Sequence, residues 1–158
     1  MSINAGADFD AAAFIAGQHL RDGGNHRRKV LVTLFGQFVD FLQGHAEGGV
    51  VESPMFGVIR GRPAIERSYA ELFRAFPDSA IDIQGLLVDG DQAVQLFKWH
   101  ATHSEEMFGL PASGRQFTIQ GAQVYKFEAG HIIHERRIYD FTGLLIQIGV
   151  LKPRPAKD

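Results

Sequence analysis

Apolar positions along the chain fall into two regimes. Up to about residue 77 they recur at spacings of three and four, the period of one helical face. Three helices are expected there. The first covers about 8–20, with Asp8 as N-cap ahead of Phe9, Ala12, Ala13, Ile15 and Ala16. The second covers about 26–42 and carries Val30, Leu31, Leu34, Phe35, Phe38, Phe41 and Leu42 on one wide face. Gly44 and Gly48-Gly49 break it, and Val50-Val51-Glu52-Ser53 reads as a short strand stopped by Pro54. The third opens at Gly61-Arg62-Pro63, buries Ile65, Tyr69, Leu72, Phe73 and Phe76, and ends at Pro77. Beyond Pro77 the period becomes two, which predicts strands at 80–88, 93–103, 115–127 and 131–139. Asp89-Gly90-Asp91 and Glu128-Ala129-Gly130 read as hairpin connections. Helices followed by an antiparallel meander give an α+β class, with helices on one face of a curved sheet.

The strand faces carry the candidate chemistry. Phe97, Trp99, Ala101 and His103 share a face that should turn toward the helices, and Lys98, His100 and Thr102 share the outer one. His103 then sits at the rim of an aromatic-lined space, or simply meets solvent at a strand end. In the last strand, His134-Glu135-Arg136-Arg137 places four ionisable residues in a row, and strict alternation would bury two. That stretch is either an exposed or subunit-facing edge or the polar lining of a pocket. Glu135 and Arg137, two apart, lie on one side and can pair. Asp140 stands between Tyr139 and Phe141. A carboxylate among aromatics loses hydration, and its pKa rises toward the range useful for proton transfer. The same residue is equally placed to cap a short helix starting at Phe141 or Thr142.

Composition narrows the function classes. The 158 residues suit one domain, with 21–25 as a linker-like stretch and 152–158 as a fraying tail. No cysteine is present, which excludes disulfides, thiolate metal sites and a cysteine nucleophile. Sixteen basic and 18 acidic residues leave a charge of −2, with no basic excess for nucleic acid. No charged-then-apolar leader and no apolar run near the ~20 residues of a membrane span is seen. A cytoplasmic protein without nucleic-acid or membrane partners is expected. Thirteen phenylalanines can fill a core and line a cavity. His100 and His103, like His131 and His134, are three apart and fall on opposite strand faces, so no metal pattern forms. Neither a phosphate-binding glycine loop nor a GxSxG elbow occurs.

Certain motifs follow one another in an ordered set. They are Ala75-Phe-Pro-Asp78, Val88-Asp-Gly-Asp91, Ala101-Thr-His103 and Gly109-Leu-Pro-Ala-Ser-Gly-Arg115, then Gly121, Gly130-His-Ile132, Glu135 and Asp140-Phe-Thr-Gly-Leu-Leu-Ile-Gln-Ile-Gly149. The order, over about 61–151, resembles the SnoaL-like polyketide cyclases of the nuclear-transport-factor-2-like superfold. The resemblance implies a conical barrel: a strongly curved, mostly antiparallel sheet wrapped around N-terminal helices, with a deep apolar cavity. It implies a domain over 26–151 behind a helical extension at 1–25, and a homodimer through the outer sheet face. It also implies ring closure by intramolecular aldol chemistry without metal or cofactor, on an apolar, carbonyl-bearing molecule. Asp140 matches the family's acid/base and His103 its Thr-His histidine, with Arg137 and Glu135 as a supporting polar pair. Phe97, Trp99, Phe117, Tyr69 and Tyr125 are the expected aromatic contacts. Two positions depart from the family pattern. Arg137 stands where tryptophan is common, and Val51-Glu52-Ser53 where histidine or asparagine is common. Limonene-epoxide hydrolases and ketosteroid isomerases share the superfold; the Arg-x-Asp of the former is missing around Lys98-Trp99-His100. A binding protein without chemistry, or an assembly subunit using the outer sheet face, are the competing classes.

Overall fold

The computed structural model describes residues 30–31 and 44–153. Its elements are β1 (Val30–Leu31), β2 (His45–Ser53), β3 (Gly57–Arg60), α1 (Arg62–Ala75), β4 (Ala80–Asp89), β5 (Gln92–Thr102), β6 (Gln116–Glu128), β7 (His131–Tyr139) and α2 (Phe141–Gln147). The strands form one open sheet in the order β1-β4-β5-β6-β7-β2-β3. Every pairing is antiparallel except β2 with β7. The predicted helix at 8–20 and most of that at 26–42 lie outside the described residues. Within them, Val30–Leu31 departs from the helical reading and pairs with Ala80 and Ile81. An unpaired edge of β4 competes there with helix formation.

Local chemistry explains the boundaries. Gly61 takes φ +81°, which favours glycine, and its carbonyl accepts from the Ala64 and Ile65 N–H groups to start α1, with Pro63 in the first turn. Two-residue turns join β4 to β5 and β6 to β7. The second has positive φ at both Ala129 and Gly130, which matches the strand twist. Register shifts between Ile83 and Gly85, between Lys126 and Phe127, and between His45 and Val50 mark bulges that bend their strands.

The main core lies between α2, the end of α1 and the inner face of β5 and β6. Phe76, Trp99 and Phe117 pack edge-to-face with centroids 4.7–5.4 Å apart, among Met107, Ile119, Leu144 and Ile148. Each such fully buried side chain contributes roughly 2 kcal/mol of transfer free energy. A second cluster joins Val51, Ile65 and Tyr69 and seats α1 on β2.

Candidate functional site

Alternation along β7 sends Glu135, Arg137 and Tyr139 inward and His134, Arg136 and Ile138 outward. Two ionisable residues are therefore buried, and they pair: Arg137 Nε donates to Glu135 Oε1 at 2.6 Å. Glu135 is fully buried. His45 Nε2 lies 2.9 Å from its Oε2, Gln123 Nε2 donates to Oε1 at 3.2 Å, and the Tyr69 hydroxyl reaches both oxygens at 3.2 and 3.3 Å. Tyr125 in turn donates to Gln123 Oε1 at 2.9 Å. Burial alone would raise the Glu135 pKa, but the Arg137 charge and the His45 and Arg137 hydrogen bonds outweigh it and hold the carboxyl at about 2. With its acceptor sites filled by four side chains, Glu135 is a poor proton acceptor and a good positioning group.

The Arg137 guanidinium is fixed from two sides. Glu135 holds Nε, and the Tyr69 ring lies beneath with its centroid 4.3 Å from Cζ. Arg137 is only 8% exposed, and its buried Nη2 has no hydrogen-bond partner among the described residues. Beside it is a partly open hollow of about 60 Å³, lined by Tyr69, Leu72, Phe73, Ile81, Phe97, Trp99, Gln123, Arg137 and Tyr139. The lining is apolar except at the β6–β7 end, where Gln123 faces Arg137 across the ladder. Burial raises the Tyr69 and Tyr139 hydroxyls above their ordinary pKa, so both are neutral donors at physiological pH.

The hollow is smaller than the deep cavity expected. Phe76, Trp99, Phe117 and Met107 pack together on the inner sheet face beside it. On the outer side of the same strand end, an open groove of about 360 Å³ runs between β7 and the β2–β3 turn, and shares Arg137 and Tyr139 with the hollow. Tyr139 and Ser53 hydroxyls meet there at 3.3 Å.

The structure brings some predicted site residues together and separates others. Tyr69, Phe97, Trp99 and Arg137 line the hollow, with Glu135 directly behind Arg137. Phe117 belongs to the main core, and Tyr125 packs on Phe127. His103 is fully buried, not at a cavity rim. Its Nδ1 lies 3.2 Å from Ser113 Oγ, its ring packs on Phe76, and its Nε2 has no partner among the described residues. Burial lowers its pKa. Asp140 is exposed and caps α2, its Oδ1 accepting from the Gly143 N–H at 2.7 Å. Of the two sequence readings of Asp140, the cap is what the geometry displays; it is absent from the hollow's lining. The ladders set Gly121 level with both Tyr139 and Phe97, so Asp140 and His103 differ by about five residues, or ~16 Å, along the strands. They do not form a pair. Sequence reasoning missed His45, Gln123, Leu72, Phe73, Ile81 and Tyr139. Tyr139 shares the parity of Glu135 and Arg137, so alternation could have found it.

The sequence profile of the SnoaL-like polyketide cyclase family matches residues 35–148. No functionally curated protein matches the chain. Among solved structures, a protein of Jannaschia sp. CCS1, provisionally described as a SnoaL-like polyketide cyclase, superimposes with a TM-score of 0.68. It is 18% identical, over 76% of this chain and 82% of that one. IdmH of Streptomyces antibioticus, provisionally a polyketide cyclase, gives 0.60 at 24% identity, over 70% and 86%. A provisional polyketide cyclase of Acidithiobacillus ferrooxidans gives 0.57 at 29% identity, over 70% and 81%.

Proposed function

The chain belongs to the SnoaL-like polyketide cyclase family, and from that premise we propose that it is a cyclase- or isomerase-type enzyme for an apolar, carbonyl-bearing small molecule. The observation that carries this reading is an apolar hollow with one fixed polar end, where Glu135 and Tyr69 lock the Arg137 guanidinium. The carbonyl-bearing end of a substrate matches the hollow's size, with the remainder outside it. Aldol ring closure is proton transfer throughout: a base takes a proton from the carbon beside one carbonyl, that carbon bonds to a second carbonyl carbon, and the new alkoxide takes a proton. It needs no cofactor. Asp140 is the candidate acid/base. It follows Tyr139, a wall residue, in the chain, and Gly143 engages only its Oδ1. His103, buried away from Asp140, acts in this reading as a core residue.

Heptane-2,6-dione tests the chemistry, because its intramolecular aldol closes a six-membered ring. Catalysed ring closure, which leaves the mass unchanged, should appear in the 13C NMR spectrum as one ketone carbon replaced by a carbinol carbon, and should fall about 10²–10⁴-fold in Asp140→Asn. Full activity in that variant would overturn the aspartate assignment. A second reading, ligand binding without chemistry, is favoured by the filled Glu135 carboxylate and the capping role of Asp140. It predicts ligand-dependent melting shifts with no product.

The same reading extends to a homodimer through the outer sheet face. Leu96, Ala122 and Ile138 stand level on β5, β6 and β7, and Leu96 and Ile138 are 41% and 53% exposed. An apolar row across three strands suits a self-complementary contact.

A further inference from the structure

A buried N–H without an acceptor is uncommon, because leaving it unmade costs about 1–3 kcal/mol and more for a charged group. Arg137 Nη2 is such a group, and it belongs to a side chain that lines the hollow. The guanidinium cannot swing away to find a partner, since Glu135 holds Nε and the Tyr69 ring lies beneath. Gln123 does not supply an acceptor: its amide nitrogen donates to Glu135, and its oxygen accepts from Tyr125. Tyr139 meets Ser53.

Charge then selects the ligand's oxygen. The Glu135 carboxylate already balances Arg137 at 2.6 Å. Tyr69 and Gln123 are neutral donors to Glu135, and Arg137 is the one cation among the described residues that line the hollow. A carboxylate entering would carry an uncompensated negative charge into an apolar lining, at high desolvation cost. A neutral carbonyl oxygen meets one strong, charge-assisted donor and carries no such penalty.

We propose that Arg137 is the ligand's oxygen anchor: Nη2 donates to a neutral ketone or enolisable carbonyl oxygen of an apolar ligand, and the Glu135–Arg137 pair discriminates against carboxylates. This rests on the reading of the hollow as a small-molecule site and names the group it recognises. Arg137 is thereby the specificity-determining residue of the site, and the same donor would stabilise the negative charge that an enolate places on that oxygen.

Three shape-related probes test it by NMR titration of the full chain: toluene, acetophenone and benzoate. The wild-type protein should bind acetophenone about tenfold or more tighter than toluene, the effect of one hydrogen bond to a charged donor. Benzoate should bind more weakly than acetophenone. In Arg137→Met the preference of acetophenone over toluene should vanish while toluene still binds. Equal wild-type affinities for acetophenone and toluene, tighter binding of benzoate, or a preference that survives in Arg137→Met would each overturn the anchor. Should Arg137→Met fail to fold, the wild-type protein still decides. The carbonyl carbon of bound 13C-labelled acetophenone should shift downfield relative to the free ketone in water-poor solvent; an unshifted carbon means no donor reaches it. Turnover is not used in any arm. Ketone selectivity without ring closure would leave the anchor standing and remove the enzyme reading, and ring closure without selectivity would do the reverse.

Discussion

Asparagine at position 140 keeps the side-chain oxygen that accepts from the Gly143 N–H, whereas alanine removes it. Asp140→Ala should therefore lower stability by about 1 kcal/mol, and Asp140→Asn should leave it nearly unchanged. A melting curve beside the ring-closure assay separates capping from proton transfer at one residue. Glu135 makes a second residue-scale prediction. Its pKa falls from the ordinary 4.5 to about 2 on folding. The stabilisation is fully present above about pH 4.5 and is lost as pH falls toward 2, because the folded state must then take up a proton it resists. A fall of that size corresponds to about 3 kcal/mol between the two limits. Urea midpoints across this window should show the acid loss in the wild-type protein. Glu135→Gln should flatten that limb and cost about 3–5 kcal/mol at neutral pH, since it leaves the Arg137 charge buried without its partner.

At the scale of elements, Gly121 on β6 leaves room for the ring of Phe97, a wall residue of the hollow. A Cβ there would lie 2.6 Å from Phe97 Cζ and 2.6 Å from the Ile138 carbonyl oxygen. Gly121→Ala should push the Phe97 ring into the hollow, cost about 1–3 kcal/mol in denaturant titrations and abolish acetophenone binding. The register that places these residues was largely legible. Period-two alternation located β4 to β7 within a residue or so, and it put Phe97, Trp99 and Ala101 inward. The Glu135–Arg137 pair followed from their spacing. Other parts were not legible, for physical reasons. Gly48 and Gly49 read as breakers, yet they accommodate a bulge inside β2, so the strand begins at His45 and the His45–Glu135 contact was hidden. β3 has four residues, too few for a period to show. Asp140 was balanced between a desolvated acid and a cap because both need an apolar stretch after the aspartate, and only the exposed geometry distinguishes them. Phe117 and Tyr125 face inward as alternation requires, but facing inward does not decide between core and hollow.

For the whole molecule, the outer sheet face carries the prediction. Ile138→Glu places a charge in the apolar row with Leu96 and Ala122. If this face joins two copies, sedimentation should give a dimer mass for the wild-type protein and half that mass for the variant, with acetophenone binding retained. A wild-type monomer would remove the dimer reading. Among the described residues, no helix is long and apolar enough to cross a membrane.

The parallel pairing of β2 with β7 has a consequence in time. Val51 pairs with Glu135, and His45 reaches the same carboxylate across 90 positions of chain. During synthesis, β2 and β3 leave the ribosome as a hairpin long before β7 exists. Throughout that interval His45 and Val51 have none of their final β7 neighbours. The hairpins β4–β5 and β6–β7 can close locally within microseconds of emerging, but the polar core waits for the last strand. Truncation before residue 131 should thus yield a nascent chain with the β2–β3 and β4–β5 hairpins formed and an open centre, a state that exposes apolar surface and would lean on chaperones.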